Sequence, residues 1–195
     1  NQTEKFIDVL GSVAETMITN NYADHIYTLS KGISWITFQN ECAAIRIDDQ
    51  LCKQGKGITL YSSFKQNLKG DKIYTVFEDS EGDEWILTNK GISIIGKKQV
   101  DSDFPFQYIK EADGIIYLVS QSDKLASYNF KTRQFKFIEI PYHVSMINEV
   151  KKFDSNTLLL ATDNGLIIYK IKEKEFQLID IRTSTQPSSV VQSVY

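Results

Sequence analysis

The sequence predicts an all-β fold built from a repeated four-stranded unit, on three observations. The composition is rich in aromatics, with ten Tyr and eleven Phe against only three Pro, and that mixture suits extended strands. No segment carries a convincing helical period. Most tellingly, a turn residue recurs with fixed neighbours. Gly82 is followed three positions on by Trp85 and six on by Thr88; Gly114 precedes Tyr117 and Ser120 at the same offsets, Asn156 precedes Leu159 and Thr162, and Gly32 precedes Trp35 and Phe38.

The turn position is thus Gly or Asn, residues that tolerate positive φ in a tight hairpin. The next marked position is large and apolar, which suits packing between facing sheets. The last is a small hydroxyl in three copies of four, able to bond loop backbone where a strand ends. The turn residues are spaced about 41 positions apart on average. Units of that length made of strands are β-propeller blades.

Taken in order, residues 1–19 are expected to be the outer strand of a preceding blade. "FIDVLGSVAETMI" (6–18) has a helical look, but Gly11 and its β-rich surroundings favour a strand. Blades follow at 20–66, 67–101, 102–141 and 142–183, and 184–195 reads as the first strand of another. In the second blade, strands are expected near Ile73–Asp79, Glu84–Thr88 and Ile92–Ile95, with an outer one shortly before Asp101. The fourth gives Val144–Lys151, Leu158–Thr162, Leu166–Ile171 and Phe176–Ile181. At about 41 residues per unit, 195 residues hold under five blades, and propellers use four to eight, so a piece of a larger, seven-bladed ring is expected, with a closed four-bladed ring as the alternative.

"CAAIRIDDQLC" (42–52) reads as a hairpin turning near Asp48, Asp49 and Gln50. That places Cys42 and Cys52 four residues out of register, roughly 13 Å along a strand, whereas a disulfide wants Cα atoms within about 7 Å. Two free, mostly buried thiols are expected.

The net charge is −3 with no basic block, which gives no electrostatic case for nucleic acid. The longest apolar runs, Ile115–Val119, Leu158–Ala161 and Leu166–Tyr169, fall far short of the ~18 residues of a membrane helix. His25 and His143 have no Cys or carboxylate at metal-ligand spacing and read as solvated loop residues. Asp48, Asp49, Asp79, Glu81, Asp83, Glu84, Asp101 and Asp103 read as turn residues rather than a catalytic pair across a sugar. "KIKEKEF" (170–176) alternates like a solvated outer strand. Neither a catalytic residue, a metal nor a cofactor is expected. A propeller binds ligands on its loop face, and here Asn89, Lys90, Gln121, Ser122, Tyr142, His143, Asp163 and Asn164 combine polar groups with an aromatic ring, as sugar hydroxyls and ring faces require.

"VFEDSEGDEWILTNKGISII" (76–95) resembles the regulator-propeller repeat, D-x-x-G-x-x-W-x-x-T-x-x-G-[IL], through Asp79, Gly82, Trp85, Thr88, Gly91 and Ile92. "DSNTLLLATDNGLIIYKIKEKEFQLI" (154–179) is similar, with Asp154, Asn156, Leu159, Thr162, Gly165 and Leu166 in the same roles; its turn is one residue shorter and Leu replaces Trp. The copies at Gly32 and Gly114 are weaker, the first lacking the Asp. Such repeats are typical of periplasmic sensor regions in hybrid two-component systems of gut Bacteroidetes, where propellers and an immunoglobulin-like module sense glycan fragments. The resemblance implies a non-catalytic sensor segment, an oligosaccharide ligand, a homodimeric and membrane-anchored parent chain with a histidine kinase, and control of polysaccharide-utilisation genes. An interaction propeller, or a propeller glycosidase or lyase, are the other readings.

Overall fold

The computed structural model describes residues 22–38, 43–62, 68–98, 100, 102–182 and 190–194. The chain forms two compact units, Asn1–Pro105 and Phe106–Tyr195, and each holds two antiparallel sheets. This is an all-β propeller-fragment fold.

In the first unit, β1 (Ala23–Thr28), β2 (Ile33–Phe38), β3 (Ala43–Asp48) and β4 (Ile58–Ser62) form one sheet in chain order. The second sheet comprises β5 (Ile73–Glu78), β6 (Glu84–Thr88) and β7 (Gly91–Ile95). In the second unit, β8 (Tyr108–Ala112), β9 (Ile115–Val119), β10 (Leu125–Asn129) and β11 (Gln134–Ile138) make the third sheet. The fourth contains β12 (Ile147–Asp154), β13 (Thr157–Thr162), β14 (Gly165–Lys170) and β15 (Glu175–Ile179).

The recurring residues close the turns of each copy, but not by one geometry: Gly32, Gly82 and Gly114 take positive φ as expected, whereas Asn156 does not. Asp113 and Gly114 both take positive φ, 53° and 68°, as the two-residue turn joining β8 to β9 needs. Asp79 accepts the backbone N–H groups of Glu81 and Asp83 at 2.9 and 3.0 Å and so closes the longer turn before β6. The hydroxyl position closes the next turn. Thr88 Oγ1 donates to Gly91 O at 2.9 Å, and Thr162 Oγ1 to Gly165 O at 2.7 Å. Ser120 Oγ accepts the Lys124 N–H at 3.0 Å.

Gly91 and Gly165, at φ 129° and 111°, are glycines for a second reason. A Cβ on Gly165 would lie 2.5 Å from Ile179 O in β15, and one on Gly91 would lie 2.1 Å from Ser102 O. Ser102 therefore stands beside the second sheet where the outer strand stands beside the fourth.

That equivalence corrects the outer strand expected before Asp101. Among the described residues the second sheet has three strands, and the returning chain meets β7 through the Ile92 N–H to Ser102 O bond at 3.1 Å. The cause is local. Gly96 takes φ 148°, and the Lys97 and Lys98 N–H groups bind the Asp83 carboxylate at 2.9 and 3.0 Å, so they are not presented to β7.

The hairpin expected at Asp48–Gln50 is also different. Asp48 caps a one-turn helix, Asp49–Cys52, by accepting the Gln50 and Leu51 N–H groups, and β4 begins only at Ile58. Cys52 sits in that helix, half-buried with a free thiol. Cys42 and the segment 6–18 lie outside the described residues.

Facing sheets in each unit share a core. In the first unit Ile33, Trp35 and Ala44 meet Leu68, Val76 and Ile86. In the second, Ala112, Tyr117, Val119 and Leu125 meet Ile147, Val150, Leu158, Leu160, Ile167 and Tyr169. Leu159 corrects one expectation, because its neighbours Leu158 and Leu160 are fully buried and it is only half-buried. Strand alternation turns it to the face opposite that shared core.

Inner strands are stitched by a repeated bond. Tyr27 Oη donates to Tyr74 O, Tyr108 Oη to Asn148 O, and Asn148 Nδ2 to Val191 O. Residues 190–194 thus stand to β12 as β12 stands to β8, although they form no ladder of their own.

Candidate ligand-binding groove and loop surfaces

The loops β9–β10, β11–β12 and β13–β14 gather at one end of the second unit. Gln121 O accepts the Ile147 N–H at 2.8 Å, and Asn164 Nδ2 donates to His143 O at 3.0 Å. Asp163 Oδ1 accepts the Ser145 and Met146 N–H groups at 3.1 and 3.2 Å. Gln121, His143, Asp163 and Asn164 are therefore brought together, while Ser122 bonds Ser120 at 2.8 Å beside them. Tyr142 is not part of this surface. Its hydroxyl turns between the sheets to donate to Phe176 O at 3.0 Å.

Asn89 and Lys90 lie in the first unit and make an equivalent stitch. Asn89 Oδ1 accepts the Asp71 and Lys72 N–H groups at 3.1 Å each, and its amide donates to Asp71 Oδ1 at 2.8 Å. Lys90 Nζ lies 3.0 Å from the same carboxylate. The Asn89 amide and then the Lys90 ammonium hold the Asp71 carboxyl below its ordinary range. Asn89 and Asp163 follow the repeat hydroxyl directly, and both serve to fix the incoming loop.

The well-formed concavity of the second unit lies elsewhere. A groove of about 800 Å³ opens at the end bearing the β8–β9, β10–β11 and β14–β15 turns, between the third and fourth sheets. One wall is the cross-strand row Tyr117, Ser127 and Lys136, with Asn129 and Gln134 in the row beside it. The other wall is Tyr169 and Phe176, stacked at 4.4 Å between centroids, with Ile171. Tyr117 meets Tyr169 edge-on at 6.1 Å, and burial raises the pKa of both phenols, so both are neutral donors at any physiological pH.

The groove overturns the reading of "KIKEKEF" as a solvated strand. Residues 171–174 are a turn, Ile171 is 6% exposed, and its N–H is bound by Asn156 O at 2.8 Å. Apart from Tyr117, which the repeat marks, no spacing in the sequence singles out the groove residues, because the groove is assembled from side chains on two different sheets.

Two buried polar clusters organise the first unit. Lys98 Nζ lies 2.9, 2.8 and 3.1 Å from Asp79, Glu81 and Asp83. Burial opposes its charge, yet the three carboxylates outweigh that and raise its pKa. Glu84, read from sequence as a turn carboxylate, is 6% exposed. It accepts the Trp35 indole N–H at 2.6 Å from the first sheet and is held by Arg46 Nη2 at 2.7 Å. Among the described residues no group of three His, Cys, Asp or Glu is placed to hold a metal ion.

For Asp83, burial works against ionisation, but the Lys97 and Lys98 N–H groups and the Lys98 ammonium prevail and hold its carboxyl below the ordinary range. A depressed folded pKa contributes stability above the unfolded value, about 4, and loses it as pH falls through the folded one. Urea unfolding of Asp83→Asn and the native protein should therefore differ clearly at pH 7. That gap should close steadily below about pH 4; a gap independent of pH would refute the assignment.

No protein-family model matches the chain, and no curated protein does. Solved structures show the fold. Two are extracellular domains of hybrid two-component systems from B. thetaiotaomicron. The BT4673 domain is 20% identical with a TM-score of 0.64 and matches over 83% of this chain and 24% of its own. For the BT3049 domain the values are 19%, 0.63, 89% and 24%. Virginiamycin B lyase from Staphylococcus aureus aligns with a TM-score of 0.60 at 19% identity, over 82% of this chain and 55% of the enzyme. The chain thus spans about a quarter of each sensor domain. No helix among the described residues is long and apolar enough to cross a membrane.

Proposed function

We propose that this chain is a non-catalytic, extracytoplasmic sensor segment of a hybrid two-component signalling protein. It responds to glycan fragments and governs transcription of polysaccharide-utilisation genes. The observation that carries the reading is the groove of the second unit, where aromatic rings share one concavity with hydroxyl, amide and ammonium groups. That combination fits sugar rings and their hydroxyls. The fold shared with two extracellular sensor domains, together with the D-x-x-G-x-x-W-x-x-T-x-x-G repeat, supports the signalling context.

In that context two chains associate in a membrane-anchored parent. Ligand binding biases an equilibrium between two arrangements, by as much as the ligand's differential affinity for them. Calorimetric titration with a panel of plant and host oligosaccharides should give saturable binding to one glycan class; an entirely silent panel would remove the reading. The likeness to virginiamycin B lyase favours a second reading, a propeller enzyme. Incubating the same panel with the protein separates the two, since an enzyme converts its ligand and a sensor returns it unchanged.

A further inference from the structure

The groove carries more chemical information than its aromatic walls alone. Lys136, Lys172 and Lys174 line it, and among the described residues their ammonium groups make no ion pair. Four other described lysines are ion-paired: Lys69 with Asp103, Lys90 with Asp71, Lys98 with three carboxylates and Lys124 with Asp123.

The alternation in "KIKEKEF" is sorted by the fold to give this result. Asn156 is the sorting residue. Its Oδ1 accepts the Lys172 N–H at 2.8 Å, and its Nδ2 binds the Glu173 carboxylate at 2.8 Å, which draws Glu173 out of the groove. Lys174 takes φ 57° in the same turn. Glu175 and Phe176 are adjacent in β15, so they face opposite ways; Phe176 lines the groove and Glu175 does not. Asp113 and Glu139 also line it, leaving an excess of one positive charge among the lining residues at neutral pH, while Glu173 outside the lining still acts on Lys172. Lys136 comes from the third sheet and Lys172 and Lys174 from the fourth, so the cations approach a ligand from both walls.

We infer that the groove takes an acidic oligosaccharide, one bearing uronate carboxylates or sulfate esters. This inference rests on the glycan-sensing reading above. The ligand's acidic groups meet the three lysines, its hydroxyls meet Ser127, Asn129 and Gln134, and a sugar face lies over Phe176 and Ile171. Lysine is suited to this task as a flexible point charge. Such contacts are partly exposed and so depend strongly on salt.

The test is calorimetric titration with tetragalacturonate, a chondroitin sulfate tetrasaccharide, cellotetraose and sodium sulfate. Each is run against the native protein and against the Lys136→Gln/Lys172→Gln/Lys174→Gln variant, whose changes lie on exposed positions. One of the two acidic tetrasaccharides should bind. Its affinity should fall about tenfold in the triple variant and should weaken as salt is raised from about 50 to about 500 mM. Equal binding of cellotetraose, or no effect of the triple change, overturns the acidic assignment while the sensor reading stands. Sulfate binding as tightly as the tetrasaccharide overturns it in favour of a plain anion site. Silence from all four overturns it as well, and the wider panel then decides the sensor reading.

Discussion

Replacing Glu84 by alanine is expected to lower the stability of the first unit by about 3–5 kcal/mol, the usual cost of removing one partner from a buried ion pair. Glu84 sits at the start of β6, yet its partners are on the other sheet of the unit. Trp35 Nε1 donates to it at 2.6 Å, and Arg46 approaches through Nε and Nη2 at 3.0 and 2.7 Å. The Glu84 hydrogen bond, the largest influence on the guanidinium, raises the Arg46 pKa. In the alanine variant the buried indole N–H and much of the guanidinium lose their acceptor together. Glu84→Gln keeps one acceptor for Trp35 and should cost less. The measurement is the urea midpoint, with the m-value checked for constancy. A double-mutant cycle with Arg46→Met separates the pair's coupling from packing. A Glu84→Ala midpoint within error of the native one would show that the two sheets do not depend on this bridge.

Trp85→Ala should be equally severe, at about 3–5 kcal/mol for deleting a buried large aromatic side chain. All five residues of β6 are buried and Trp85 is wholly inaccessible, so little can collapse into the space left. Trp85→Phe keeps most of the ring and loses the 2.7 Å bond from Nε1 to Asp79 Oδ2. Asp79 retains Lys98 as a partner at 2.9 Å, so about 2 kcal/mol is expected for this milder change. Leu159 holds the same repeat position in the fourth sheet but is half-buried. Leu159→Ala should therefore cost only about 1–2 kcal/mol, in proportion to the smaller apolar area it hides. If Leu159→Ala proved as damaging as Trp85→Ala, position in the repeat rather than burial would set the cost.

These contrasts show where sequence reasoning held. The period, the hydroxyl at Thr88, Ser120 and Thr162, and the glycines at Gly91 and Gly165 were legible because each obeys a local rule. The β8–β9 turn takes positive φ at Asp113 and Gly114, and a strand end needs a backbone partner. The β12–β15 strands were placed within a few residues for the same reason. No outer strand forms before Asp101 among the described residues because Asp83, 14 residues before Lys97, captures the N–H groups of Lys97 and Lys98. A tight hairpin after β3 gives way to a helical turn because Asp48 caps Asp49–Cys52.

The polar loop residues show the same division. Their polarity was visible, but Asn89 and Asp163 are occupied in holding the incoming loops, and Tyr142 turns inward to Phe176. The groove was not visible at all. The sequence by itself determined the all-β repeat, its turns and the alternation of its strands, since all depend on residues close in the chain. Only the tertiary structure decided that Glu84 is a buried bridge, that Leu159 faces away from the shared core, and that Lys136 meets Lys172 and Lys174 across one concavity. Burial and charge pairing are set by what packs opposite a residue, and the opposing group in these cases is 36 to 49 positions away.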